Sequence, residues 1–435
     1  MEWWFVLILI AGTFLFFLAL GVQIALSFVA ANLVALYFLG GTRYLSLLAT
    51  GMFDSVNSFV LVAVPLFIVM GEILFRCRFI DLVTGAFQSV FGKVPGRVGL
   101  LTVCTGTVLG ALSGAPIATV ATLGSTLVPE MVNQGYRRWL AYGTAVGSGA
   151  LAVLIPPSAL AILVAFLGQI SPSKVLIGSA VPGFLTALLF AVFVVGACKL
   201  WPQLAPDTSK VTKLSFIAKL FAVFKALPLL WVVFLVTVVI YLGVATPTEA
   251  AALGATGSFV LALFYRRLTW TIVVESFMAT VKTTSMVFLI IAGSKTFSQV
   301  LSLTGAGPKM VQAVVNMPLP PLAVIAVMML SVLLLGCFID SISLIMITIP
   351  IYMPAVIALG FDPIWFGVLV VINLGIAGIT PPVGMVLYAL KGVYPSAKMG
   401  DIWRGSVPFF CIQALVLVLA MVFPSIALWL PRLMR

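Results

Sequence analysis

The sequence predicts an all-α integral membrane protein with roughly 11 or 12 transmembrane spans and two re-entrant helical hairpins. Its 435 residues are 63% hydrophobic and only 8% charged, whereas a soluble domain has about 25% charged residues. The mean hydropathy is +1.27. At about 20 residues for each crossing, the chain has room for these spans but not for a sizeable soluble domain.

Prolines and glycines interrupt the apolar segments at positions that recur with one offset. Helix interiors tolerate both residues poorly, and in a bilayer a broken helix persists where it lines a cavity or an ion site. The pattern therefore predicts duplicated halves, each with a broken helix; a proline kink that serves packing alone is the alternative. The offset is 225, since 381 − 156 = 225, and it relates Ile155-Pro156-Pro157 to Thr380-Pro381-Pro382, Pro95 to Pro320, Pro129 to Pro354 and Gly135 to Gly360.

Two pairs of short apolar segments predict the hairpins. Segments 98–112 and 115–131 meet at Ser113-Gly114-Ala115-Pro116, and segments 322–338 and 341–359 meet near Gly336 and Asp340. Each segment is short for a crossing of its own, and two such segments joined at mid-membrane are typical of a re-entrant hairpin.

The charges beside the hairpins predict that the halves have opposite orientations. Arg137 and Arg138 follow the first hairpin, but the residue equivalent to Arg137 in the second half is Asp362, since 137 + 225 = 362. Basic loops favour the cytoplasm. We therefore expect the first hairpin to open from the cytoplasm and the second from the opposite side.

The segments group into five predicted regions. The Lys-rich stretch 199–225 has interleaved apolar residues, which predicts an amphipathic helix on the inner surface, with an ordinary linker as the alternative. The regions are N-terminal scaffold spans at 1–78, a first repeat at 79–198, the connector with further scaffold spans at 199–304, a second repeat at 305–403 and a C-terminal span at 404–435.

Composition argues against several classes of function. The net charge of +12 arises from Lys and Arg in short loops, as in cytoplasmic loops, so nucleic-acid binding is not expected. The chain has no histidine, so it lacks the commonest metal ligand and general base. We therefore predict neither an enzyme nor a bound cofactor. A Walker loop is absent, and no repeated filter suggests a channel.

The breaks supply chemistry suited to a cation. A proline has no N–H, and its ring clashes with the carbonyl four residues earlier. Carbonyls of the preceding turn therefore lose their hydrogen bonds within the helix. Such carbonyls, beside the hydroxyls of Ser158 and Thr380, are hard, neutral ligands for Na⁺. The helix that restarts after each break presents a partly positive N-terminus, where a carboxylate can bind.

The hairpin tips add polar groups. Ser113 and Gly114 form one tip, and Asp340 with Ser341 the other; Asp340 either neutralises a cation or caps the following helix. Asn373 matches Ser148, because 373 − 148 = 225. It is either a ligand or the donor of a helix–helix hydrogen bond.

Six motifs resemble the large membrane (M) subunit of tripartite ATP-independent periplasmic (TRAP) transporters, a DctM-like protein. They are Leu61-Val-Ala-Val-Pro-Leu-Phe-Ile-Val-Met-Gly-Glu72, Gly92-Lys-Val-Pro-Gly96, Leu112-Ser-Gly-Ala115, Ile155-Pro-Pro-Ser158, Leu335-Gly-Cys-Phe-Ile-Asp340 and Thr380-Pro-Pro-Val-Gly384.

The resemblance implies an elevator carrier of a bacterial inner membrane, in which Na⁺ influx drives uptake of an organic acid. It implies a small four-helix membrane subunit (Q), a periplasmic substrate-binding protein (P) and surrounding phospholipid as partners. An H⁺-coupled or binding-protein-independent carrier is the alternative. Dicarboxylates, sialic or uronic acids, keto acids and sulfonates all stay open.

Carried onto this chain, the resemblance assigns two sets of residues. The sodium ligands are Ser113, Gly114, Ile155, Pro156, Pro157, Gly336, Asp340, Ile379, Thr380, Pro381 and Pro382. The substrate ligands are Ala115, Pro116, Ser158, Asn373 and Ser341. Three departures stand out: Ala115 and Pro116 replace hydroxyl residues, Leu374 and Gly375 follow Asn373 where an acid is usual, and Gln23 replaces a common proline.

Overall fold

The computed structural model describes residues 3–40, 45–206 and 216–434, and every regular element within them is a helix. Short 3-10 turns at Phe59–Val62, Leu151–Val153 and Pro202–Leu204 join some of the helices. The first half contains α1 (Trp3–Ala19), α2 (Ile24–Gly40), α3 (Leu45–Val56), α4 (Ala63–Arg76), α5 (Ile80–Val90), α6 (Arg97–Ser113), α7 (Pro116–Asn133), α8 (Arg138–Ala150), α9 (Ala159–Leu167) and α10 (Pro172–Leu200).

The second half repeats this series. It contains α11 (Phe216–Tyr241), α12 (Pro247–Phe264), α13 (Trp270–Leu303), α14 (Ala306–Val315), α15 (Pro321–Gly336), α16 (Ser341–Ala358), α17 (Pro363–Gly378), α18 (Met385–Val393), α19 (Met399–Val422) and α20 (Ser425–Leu433).

The 225-residue offset holds well beyond the breaks. Both ends of α7 map onto α16, since 116 + 225 = 341 and 133 + 225 = 358. The offset also relates α5 to α14 and, within two residues, α2 to α12. The duplication therefore includes helices outside the two predicted repeats.

Both predicted hairpins are present as helix–turn–helix units. The first is α6 and α7, and the second is α15 and α16. Six helices are long and apolar enough to cross a membrane, and six shorter apolar helices accompany them in the described chain. This agrees with the predicted multi-pass, all-α architecture.

The connector predicted as a surface helix is described only in part. Residues 199–200 end α10, and α11 runs without interruption from Phe216 into an apolar segment. The described part of 199–225 thus contains no separate α-helix, and residues 207–215 lie outside the described chain.

Glycines allow helices from the two halves to pack closely. A β-carbon on Gly143 of α8 would collide with the backbone carbonyl of Gly405 on α19. A β-carbon on Gly71 of α4 would lie 2.9 Å from the Cα of Ser113. The first hairpin tip therefore lies directly against α4.

Candidate functional site

A cavity of about 330 Å³ lies between the two hairpin tips. Helices α4 and α13 close its other side, and Ala150 and Gly375, from the ends of the two broken helices, also line it. Seven of the predicted site residues form part of its wall, namely Ser113, Gly114, Ala115, Pro116, Gly336, Asp340 and Ser341.

Nine predicted residues are not among those that line this cavity. Ser158 and Asn373, both predicted to touch the substrate, are fully buried. Neither is among the residues that line the cavity. The other seven are Ile155, Pro156, Pro157, Ile379, Thr380, Pro381 and Pro382.

The first break follows the end of α8. The amide of Ile155 donates to the Leu151 carbonyl at 3.0 Å, and the next two residues are joined by a cis Pro156-Pro157 peptide bond. Within the described chain, no hydrogen bond reaches the carbonyl oxygens of residues 152–157. A β-carbon on Gly114 would lie 3.5 Å from the Pro157 carbonyl oxygen, so the first hairpin tip contacts this break.

The second break has the same cis Pro-Pro bond, at Pro381-Pro382. The Thr380 hydroxyl donates to the Ile376 carbonyl at 2.7 Å. The carbonyl oxygens of Gly378 and Ile379 accept no backbone hydrogen bond from the described residues, and residues 381–383 form a turn. The second hairpin tip contacts α17 just before its break, because a β-carbon on Gly336 would collide with the side chain of Ala377.

Two carbonyl oxygens of this break lie close to Gly384. Its φ is +38°, and a β-carbon there would lie 2.8 Å from the Thr380 carbonyl oxygen and 3.1 Å from that of Gly378. Carbonyl oxygens that accept no hydrogen bond are neutral oxygen ligands of the kind that suits Na⁺. The described residues contain no cluster of three or more His, Cys, Asp or Glu side chains, so a transition-metal site has no support there.

Asp340 caps the second hairpin's return helix. One carboxylate oxygen accepts the amides of Ile342 at 3.0 Å and Ser343 at 3.1 Å, and the other accepts the Ser343 hydroxyl. Of the two roles considered for Asp340, capping is the one that the hydrogen bonds show. The carboxylate still forms part of the cavity wall.

Asn373 makes a helix–helix hydrogen bond. Its amide nitrogen donates to the Met329 carbonyl on α15 at 2.6 Å. The matching Ser148 donates to the Thr144 carbonyl of its own helix, also at 2.6 Å. The helix–helix alternative thus describes Asn373 in this structure, and the prediction of a substrate contact has no support here.

The sequence reasoning missed the wall formed by α4 and α13. Glu72, Phe75, Met286 and Val287 line the cavity. Glu72 accepts from Arg76 at 2.9 Å, and Arg76 also pairs with Glu275 on α13. The Leu61–Glu72 motif was the one available signal in the sequence of a role for Glu72 in the cavity.

The comparisons with known proteins agree with this architecture. The family model for the DctM component of tripartite ATP-independent periplasmic transporters matches residues 11–426. The chain belongs to this family. It is accordingly a multi-pass membrane protein of a transporter family, as the motifs had indicated.

Two curated DctM relatives have different solutes in their names. The chain is 29% identical over 421 residues to the isethionate TRAP transporter permease protein DctMQ of Oleidesulfovibrio alaskensis, covering 96% of this chain but only 65% of that longer relative. It is 29% identical over 389 residues to the C4-dicarboxylate TRAP transporter large permease protein DctM of Pseudomonas aeruginosa, covering 88% of this chain and 89% of the relative.

One solved structure shares the fold. The YdaH transporter of Alcanivorax borkumensis superposes with a TM-score of 0.63 at 14% identity. The match covers 88% of this chain and 89% of that one. At this identity the likeness supports the fold of this DctM family member and nothing about its solute.

Proposed function

We propose that this chain is the large membrane subunit of a secondary carrier that couples Na⁺ influx to the uptake of a small organic acid anion. One observation carries the proposal. Two matched helix breaks leave carbonyl oxygens without hydrogen bonds, and the hairpin tips that contact those breaks line one shared cavity. An ion at a break and a solute in the cavity would thus lie on two sides of the same tips.

Charge explains why the two bind together. Moving an anion into a cavity within the membrane is costly unless an opposite charge accompanies it. Na⁺ held by neutral carbonyls supplies that charge, and the anion in turn makes Na⁺ binding more favourable. This reciprocity is the thermodynamic basis of coupling.

The fold offers a route for an elevator motion. Both hairpins and both broken helices would move together against α4 and α13, which form the remaining cavity wall. The contact between Gly71 and Ser113 would be one sliding surface, because only glycine allows α4 to approach the tip so closely. Such movement would expose the cavity alternately on the two sides of the membrane.

The partners follow from the family. Its description is of one component of a tripartite transporter, and the name DctMQ of one relative points to a fused second membrane subunit. We expect a small membrane subunit (Q), a periplasmic binding protein (P) that delivers the solute, and a location in the bacterial inner membrane. An isethionate-like sulfonate and a C4-dicarboxylate are the two solute classes suggested by the relatives' names.

Uptake into proteoliposomes that contain the complete transporter tests the coupling. An inward Na⁺ gradient should drive solute accumulation, and replacing Na⁺ by choline should abolish it. Accumulation driven equally by a pH gradient without Na⁺ would support the H⁺-coupled alternative and contradict the proposal.

The substitution Thr380→Val tests the second break. Loss of the hydroxyl should raise the Na⁺ concentration for half-maximal uptake about tenfold, since an interaction with a charged group is worth about 1.5–3 kcal/mol. Thr237→Val is a matched control, because the Thr237 hydroxyl also donates to the carbonyl four residues earlier, at 2.9 Å, yet belongs to α11, which contains neither break. An unchanged Na⁺ dependence in Thr380→Val would remove Thr380 from the site.

A further inference from the structure

The cavity wall offers few polar groups to a solute. Of the 31 residues that line it, five have polar side chains: Glu72, Ser113, Thr283, Asp340 and Ser341. None of the described lining residues is Lys or Arg. The wall therefore differs from the arginine-rich sites that bind two carboxylates at once.

The charges of the wall are both negative. The charge of Glu72 is offset by Arg76 at 2.9 Å. Asp340 has no ion-pair partner among the described residues. Every negative charge on the solute must then be matched by a cation that binds with it. This requirement favours a solute with one negative charge over a solute with two.

Most polar groups of the wall already bond within the protein. The Ser113 hydroxyl lies 3.0 Å from that of Thr119, and the Asp340 carboxylate is occupied by helix capping. The hydroxyls of Ser341 and Thr283 have no hydrogen-bond partner among the described residues. A sugar acid would leave several hydroxyls unpaired, at about 1–3 kcal/mol for each.

The remaining wall is apolar. Apolar residues of α4, α9, α13 and α18 line the cavity, among them Ile68, Phe75, Leu163, Met286, Val287 and Met385. Contact with such a surface favours a hydrocarbon body by about 0.8 kcal/mol for each buried methylene group.

The first hairpin tip offers a position for a single carboxylate. Ala115 provides no side-chain cap to α7, whereas Asp340 occupies the equivalent place on α16. The amides of Ile117 and Ala118 donate to no backbone carbonyl among the described residues, and both residues line the cavity. Free amides at a helix N-terminus favour an anion.

We propose that the cavity takes a monocarboxylate with an apolar body, such as a branched-chain 2-oxo acid, in preference to dicarboxylates and polyhydroxy acids. This inference rests on the proposed function, since it concerns the solute of the same cavity. The carboxylate lies at the α7 tip, and the hydrocarbon body lies against α4 and α13.

Thermal unfolding of the purified membrane complex tests the inference with three probes. The probes are 4-methyl-2-oxopentanoate, 2-oxoglutarate and glucuronate, each added with Na⁺ or with choline. In Na⁺, 4-methyl-2-oxopentanoate should raise the unfolding midpoint by about 2–4 °C. The other two should leave it unchanged at the same concentration.

The outcomes separate this inference from the proposed function. An equal or larger Na⁺-dependent shift with 2-oxoglutarate or glucuronate overturns the inference and leaves Na⁺ coupling intact. A shift with 4-methyl-2-oxopentanoate that is the same in choline supports the solute class and contradicts Na⁺ coupling. No shift with any probe, while Na⁺ alone raises the midpoint, also overturns the inference.

A variant extends the test to specificity. Met286→Lys places a cation on the wall and should transfer the Na⁺-dependent shift from 4-methyl-2-oxopentanoate to 2-oxoglutarate. Met278→Lys is the matched control, because Met278 is an exposed methionine of the same helix that does not line the cavity. A control variant that changes preference in the same way would contradict the placement of the solute beside α13.

Discussion

The two hairpins share a backbone but differ in the chemistry of their tips. Their return helices, α7 and α16, each have 18 residues and begin 225 positions apart, since 341 − 116 = 225. The residue before α7 is Ala115, which makes no capping bond, whereas the residue before α16 is Asp340, which accepts two amides. The two tips thus share their geometry, but one leaves the first amides of its return helix uncapped by a side chain and the other caps them with a carboxylate.

The loops that follow the hairpins have diverged in the same way. The Tyr136 hydroxyl accepts the amide of Val98 at 3.1 Å and so fixes the start of α6. Its counterpart, at 136 + 225 = 361, is Phe361, which stacks on Trp365 with ring centroids 5.1 Å apart. A hydrogen bond in one half and an aromatic contact in the other stabilise equivalent turns.

The largest effect should come from copying a second-half residue into α8. Gly143 corresponds to Val368, since 143 + 225 = 368, but a β-carbon on Gly143 would collide with the Gly405 backbone. Gly143→Val should lower the free energy of unfolding by about 3 kcal/mol or more. Size-exclusion profiles and unfolding midpoints measure the loss. Gly196→Val is the control, because a β-carbon there meets no atom within 4 Å.

Asn373 and Ser148, the polar residues that precede the two breaks, should differ in how much they contribute to stability. Asn373→Ala leaves the Met329 carbonyl without the bond that joins α17 to α15, so we expect a loss of about 2 kcal/mol. Ser148→Ala removes a bond within one helix and should cost about 0.5 kcal/mol. Unfolding midpoints that fall equally would show that the two positions play the same part.

Moving the cap between the tips should change stability less than Asn373→Ala does. Ala115 has extended backbone angles, φ −122° and ψ 105°, which suit a capping residue. Ala115→Asp should stabilise the first hairpin by about 1 kcal/mol. It should also lower uptake about tenfold, because the new carboxylate competes with the anion for the backbone amides at the start of α7. Asp340→Ala should destabilise by about 1 kcal/mol. Unchanged uptake in Ala115→Asp would place the anion elsewhere.

Local signals made the hairpins and the breaks predictable. The first tip was expected at Ser113 to Pro116, and α6 ends at Ser113 while α7 begins at Pro116. Proline, glycine and aspartate act on the backbone within a few residues, so their effects can be read without knowledge of tertiary contacts. The same signals located both cis Pro-Pro breaks.

Tertiary contacts account for what the sequence did not show. The role of Asn373 was left open because a ligand and a helix–helix donor require the same residue in the same pattern. The wall residues Phe75 and Met286 lie in uniformly apolar helices, where no periodicity identifies the face that meets a cavity. The match between α5 and α14 was missed because the offset was followed only through prolines, glycines and a few polar residues.

Cysteine labelling tests the opposed orientation of the halves most directly. Asn133 and Ala358 are matched, exposed residues at the ends of α7 and α16, since 133 + 225 = 358. Each is changed to cysteine in a Cys411→Ser background, which removes the one native cysteine classed as exposed among those described. An impermeant maleimide should label Asn133→Cys from the cytoplasmic side and Ala358→Cys from the periplasmic side. Labelling of both positions from the same side would contradict the inverted repeat and, with it, the carrier mechanism proposed for the cavity.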